Sequence, residues 1–177
     1  MCEGLWQCTS EVISSPVFRN LSFLFGVLVA VVSVLSARAT AKKKQTADLL
    51  SSTRADEELV AGLRCLSELH NRPDANIRQY ASDLKASSDE AKSIRYVLNH
   101  YEYVAVGLQS GIYDEGMLRR ASHNTVVNLF THARPFIEAL REHKHRPSLY
   151  QEMQCMAEHW QELGQPKKKK RKRWGVV

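Results

Sequence analysis

No stretch of this chain alternates apolar and polar residues with a period of two. No Asn-Gly pair marks a hairpin, and no repeat recurs at a fixed spacing, so β and solenoid architectures are not expected. Nucleotide cradles are missing as well, since neither GxxxxGK[ST] nor GxGxxG occurs. The segment Gly107-Leu108-Gln109-Ser110-Gly111 has glutamine where a nucleophile elbow needs serine, and there is no HExxH. The four cysteines, Cys2, Cys8, Cys65 and Cys155, form no CxxC pair, which argues against a zinc ribbon or a thioredoxin-type redox site. Among seven histidines, His143 and His145 are close, but no third ligand stands at a matching spacing, and zinc needs three or four. No catalytic, cofactor-binding or metal-ligating residue is therefore expected, no cofactor or small-molecule substrate is implied, and the chain reads as a non-enzyme.

Charge is unevenly placed. The formal net charge is +6, from 25 basic and 19 acidic residues, but seven of the basic ones form one block at 167–173. Between positions 47 and 164 the count is 13 basic against 17 acidic, a net of −4. A nucleic-acid-binding domain usually carries a basic face, and this mildly acidic body does not suggest one.

What the chain does have is one long apolar run. Residues 17–37 read VFRNLSFLFGVLVAVVSVLSA, and 21–35 hold neither charge nor proline. About twenty helical residues at roughly 1.5 Å each cross a hydrocarbon core of about 30 Å, and this run is apolar all round rather than along one stripe. It is expected to be a transmembrane anchor. Arg19 alone precedes its apolar centre, whereas Arg38, Lys42, Lys43 and Lys44 follow, which places the C-terminal side in the cytoplasm and the N-terminus outside. Small-x-small triplets at 37–39 and 39–41 suggest signal-peptide cleavage, but no basic leader precedes the run, so the anchor is read as uncleaved.

These features divide the chain into an extracytoplasmic segment (1–16), an anchor (17–37), a basic flank and helical stalk (38–54), a helical cytoplasmic domain (55–164) and a polybasic disordered tail (165–177). The fold class expected is all-α, a single N-terminal transmembrane helix followed by a small cytoplasmic helical bundle of five or six helices. Helices are predicted over 55–69, with stripe Leu59, Leu63 and Leu66, and briefly after Pro73, with Ile77, Tyr80 and Leu84 on one face. A Ser87-to-Glu90 capping box then opens the central helix. Ile94, Val97, Leu98, Tyr101, Val104, Ala105 and Leu108 share its inner face, and Gly111 closes it. A short helix over 114–121, one over 124–143 kinked at Pro135, and a last one over 148–163 complete the set. Cys65 and Cys155 are expected as buried thiols within these helices.

Residues 98–120, LNHYEYVAVGLQSGIYDEGMLRR, together with the segment Lys44-Gln45-Thr46-Ala47-Asp48-Leu49, then Arg134-Pro135-Phe136-Ile137, Arg141, Tyr150 and Trp160, carry a family likeness. The chain resembles the membrane-anchored bacterial and prophage proteins of domain-of-unknown-function family 4760. The resemblance implies architecture and a bacterial or prophage source. That family has no assigned catalytic residues, so none is carried over, and the basic tail lies outside its pattern.

Two constellations remain. Arg95, Asn99 and Glu102, spaced four and three, form a polar strip beside the apolar face of the central helix, and Glu102 is expected to pair with Arg134 or Arg141. The second is basic. Lys42, Lys43 and Lys44, with Lys167, Lys168, Lys169, Lys170, Arg171, Lys172, Arg173 and Trp174, suit a membrane surface or another anionic partner, each basic residue gaining about 1 kcal/mol beside an anionic leaflet. The function expected is a single-pass, membrane-anchored, non-enzymatic adaptor of the inner membrane with an unknown protein partner, and anionic lipid as a further contact. Alternatives are a superinfection-exclusion or abortive-infection factor of prophage type, and a membrane-held nucleic-acid binder acting through the tail.

Overall fold

A computed structural model describes residues 16–166, and all its regular structure is helical. The N-terminal segment up to residue 15, with Cys2 and Cys8, lies outside the described residues, as does the tail from Lys167 onward. Five α-helices follow in order: α1 Pro16–Ala55, α2 Glu57–Asn71, α3 Asp89–Gln109, α4 Glu115–Lys144 and α5 Gln151–Leu163. Two 3-10 turns, Ile77–Ala81 and Asp83–Lys85, stand between α2 and α3. The chain divides into two units, Met1–Ala41 and Lys42–Val177.

The first unit is described by its part of α1. Its most apolar window has a mean hydropathy of 2.2 and no buried residue. Leu21, Phe23, Leu24, Phe25, Leu28, Val32 and Leu35 are all exposed, Phe23 by 72%. A helix with apolar side chains on every face has no stripe to turn toward a protein core. This one is long and apolar enough to cross a membrane.

The second unit is a helical bundle with one core. α2 starts where the Asp56 carboxylate accepts from the Leu59 amide at 2.9 Å, with Glu57 and Glu58 in the first turn favouring its positive end. Its inner face is Leu59, Gly62, Leu66 and Leu69, with Leu63 only half-buried. At Gly62 a Cβ would stand 2.5 Å from the Val97 side chain, so the missing side chain lets α2 and α3 approach closely. α3 is the central helix. Ala91, Ile94, Val97, Leu98, Tyr101, Val104 and Ala105 are buried along it, and it packs on both α2 and α5. It closes at Gly111, whose φ of +70° suits glycine; the Gly111 amide donates to Leu108 and the Ile112 amide to Gly107.

Several expectations about element ends are corrected. The cap of α3 is Ser88, which accepts from the Ala91 amide at 3.2 Å, not Ser87; the third helical position is then Ala91 and Glu90 cannot close a box. The helix expected after Pro73 is replaced by the two 3-10 turns. Here side chains compete for the backbone: Asn76 accepts from the Arg78 amide and the Ser82 hydroxyl donates to the Gln79 carbonyl. Leu84, expected on the inner face, is 96% exposed. The expected pair of helices over 114–143 is one helix, α4. Ser122, His123 and Asn124 are weak helix formers, but each costs only a fraction of a kcal/mol, and Leu118 and Val126 on either side of them are buried. Pro135 lies inside α4, where the sequence reading places it. α5 begins at Gln151 rather than 148, because Tyr150 stands in the left-handed region at φ 57°.

Candidate functional site

The strip Arg95, Asn99 and Glu102 faces the start of α5. The first amides of any helix lack an internal partner, and α5 has no side-chain cap of its own. Glu102 supplies the acceptor from α3: its carboxylate takes the Met153 amide at 2.8 Å and the Glu152 amide at 3.4 Å. The arginine partner expected for it is not there. Arg134 pairs with Glu138 at 2.9 Å, and Arg141 donates to the Leu149 carbonyl and to Gln154, both at 2.9 Å. A helix start offers a carboxylate two donors and the positive end of the dipole, which meets the same electrostatic need without an arginine. Asn99 accepts from the Tyr150 hydroxyl at 3.2 Å. Arg95 donates to the Ala86 carbonyl at 2.6 Å, and its guanidinium carbon lies 5.9 Å from the centre of the Phe136 ring. The three groups hold the start of α5 and the turn before α3. Burial pushes the Tyr150 phenol upward, and the Tyr101 phenol up to about 12.

At the other end of α3 lies a residue that the sequence reading passed over. Thr46 is the buried polar residue among those described. Its hydroxyl donates to the Lys42 carbonyl at 2.8 Å and accepts from the Asp114 amide at 2.8 Å, tying the last part of α1 to the start of α4. Asp114 in turn caps α4 through the Met117 amide at 2.7 Å. A lone threonine in a polar helical stretch carries no periodic signal; its place in the family-like segment 44–49 was the one hint. Lys42, Lys43 and Lys44 are exposed on the turn before it. The Lys42 ammonium lies 3.3 Å from where a Cβ on Gly111 would stand.

A cleft of about 310 Å³ opens between α3 and α5, with Ala105, Leu108, Met156 and Trp160 among its lining residues. At it, the Glu115 carboxylate accepts from the Trp160 indole at 3.3 Å and lies 3.5 Å from His159 Nε2. Gln109 is bonded to Glu152 beside it. Cys155 also lines the cleft and is exposed, contrary to expectation, because Met153, Met156, Ala157 and Trp160 take the inner face of α5. Cys65 is half-buried, and loss of water pushes its thiol upward.

The histidines serve in pairs with other groups. His143 lies 2.9 Å from Asp83 and Lys144 3.1 Å from it; hydrogen bonds, first from His143 and then from Lys144, hold the Asp83 carboxyl low. His70 of α2 and His132 of α4 stack at 3.9 Å between ring centres. Burial, and then repulsion by His70, lower the pKa of His132. His100 meets the Thr53 hydroxyl at 3.2 Å and is also lowered, chiefly by burial. Among the described residues no group of three or more His, Cys, Asp or Glu is placed to hold a metal ion. Arg119 Nη1 is buried with no hydrogen-bond partner among the described residues.

Of the basic site residues, Lys42, Lys43 and Lys44 lie together on α1, whereas Lys167 through Trp174 fall outside the described residues. No curated protein and no solved structure matches the chain. A family model described as Domain of unknown function (DUF4760) matches residues 20–160, from the apolar run to the Trp160 that closes on Glu115, and the chain belongs to that family.

Proposed function

We propose that the protein is a single-pass adaptor of a bacterial inner membrane, with its N-terminus outside and its helical domain in the cytoplasm, where it binds a protein partner without catalysing a reaction. The observation that carries this reading is the all-round exposure of large apolar side chains along the first part of α1. Water would not tolerate such a surface, and a bilayer would. Orientation is supported by the basic flank Arg38, Lys42, Lys43 and Lys44 on the domain side of the run, against Arg19 before it. Binding rather than catalysis is supported by the polar strip: Arg95, Asn99 and Glu102 are each engaged in holding neighbouring elements.

An in-cell crosslink of the tagged full-length protein, beside a version ending at Gln165, tests the adaptor role. One dominant protein partner that survives loss of the tail is the expected result. Crosslinked nucleic acid that disappears with the tail would replace the adaptor with a nucleic-acid binder held at the membrane.

A further inference from the structure

The cleft between α3 and α5 lies wholly within the helical unit, and the adaptor reading gives it no use. Its volume of about 310 Å³ stands at the small end of ligand sites, and a dry cavity of about 150 Å³ already holds benzene. There is room for one ring and a short chain. Leu108, Met156 and Trp160 form an apolar floor, of which Met156 and Trp160 are buried, whereas Gln109, Glu115 and His159 at the edge are exposed.

Charge at that edge is negative. The Trp160 indole donates to Glu115 Oε1 at 3.3 Å, and His159 Nε2 lies 3.5 Å from the same oxygen. His159 balances the carboxylate only when protonated, and Oε2 has no partner among the described residues. Gln109 donates a neutral amide to Glu152, so a second carboxylate stands beside the cleft without a cation among the described residues. No lysine or arginine lines the cleft. Lys42 lines the adjoining cleft at Gly111 together with Glu115, but forms no ion pair with it.

We propose that the cleft between α3 and α5 binds a small amphipathic cation, a primary ammonium carried on one ring or a short alkyl chain. Its apolar part covers Leu108, Met156 and Trp160, and its ammonium donates to Glu115 Oε2. An anionic ligand would meet two like charges, and a neutral one would forgo the stronger bond between ions. The site needs neither the anchor nor a protein partner, so its failure leaves the adaptor reading untouched.

The test uses the full chain with Trp6→Phe and Trp174→Phe, which keeps Trp160 as the one indole. The protein, isotope-labelled at the indole nitrogen, is held in mild detergent and mildly alkaline buffer at constant ionic strength. Its indole signal is followed by nuclear magnetic resonance while phenethylammonium, phenethyl alcohol or hydrocinnamate is added. The amine should shift the signal saturably, with half-saturation at least about threefold below that of the alcohol and no saturable shift from hydrocinnamate. Glu115→Gln keeps an acceptor for the indole and should bring amine and alcohol within about a factor of two of each other. Equal half-saturation for amine and alcohol with Glu115 in place overturns the proposal, and that comparison does not depend on the Glu115→Gln protein folding. So does an amine preference that persists in Glu115→Gln, or the absence of any saturable shift. A shift produced by N-acetyl-phenylalanyl-lysine amide but not by the free amine assigns the cleft to a pair of side chains on a protein partner and overturns the small ligand.

Discussion

At the scale of single residues, the start of α5 lacks a side-chain cap because Tyr150 occupies its N-cap in the left-handed region, and Glu102 of α3 supplies the missing acceptor from across the bundle. Glu102→Ala leaves two amides without that acceptor, which costs about 1–3 kcal/mol; Glu102→Gln keeps an acceptor oxygen and costs less. Urea unfolding of the full-length protein in mild detergent checks the order, and an unchanged midpoint for Glu102→Ala contradicts it. Thr46→Val removes both the donor to Lys42 and the acceptor for the Asp114 amide while keeping the side chain's shape. A loss of about 1–2 kcal/mol is expected, read as faster hydrogen exchange at the Asp114 amide. Neither role was legible in the sequence. The carboxylate of Glu102 was recognised as needing a partner, but a backbone amide has no letter, and a reading confined to side-chain letters proposed arginines instead.

Helix identity and inner faces follow from spacing, because the core residues of α3 recur at the helical period and have little alternative but to point inward. Ends were harder to place. Ser87 and Ser88 are equivalent as caps by chemistry, and the choice between them depends on which register buries Ala91 and Ile94. Between α2 and α3, local side-chain bonds from Asn76 and Ser82 outweigh a weak stripe, and helix propensity does not record such bonds. The stacked pair His70 and His132 joins α2 to α4, and it brings a pH dependence with it. His132 is held below its ordinary value of 6.5, so the native state binds its proton more weakly than the unfolded chain does. The stability it contributes is complete above pH 6.5 and is lost as pH falls through the lowered pKa. Urea midpoints measured on either side of pH 6.5 should fall more for the wild type than for His132→Gln. Equal falls would remove the stack as the cause, leaving His100, which is lowered in the same direction.

For the whole molecule, the apolar run, its basic flank and an all-α domain were legible because each rests on composition or period, and those signals survive without knowledge of tertiary contacts. The meeting of the last part of α1 and the end of α5 on the first half of α4 was not, since it depends on contacts such as Thr46 to Asp114 and Gln165 to Asn124 that join distant parts of the chain. Anchoring is the claim on which function depends, and the exposed Cys155 gives direct access to it. In a protein with Cys2→Ser, Cys8→Ser and Cys65→Ala, a membrane-impermeant maleimide is applied to spheroplasts before and after lysis, and the membranes are then washed with alkaline carbonate. The account predicts that Cys155 is labelled only after lysis and that the protein stays in the washed membranes. Labelling of intact spheroplasts would reverse the topology, and release into the carbonate wash would contradict the anchor itself.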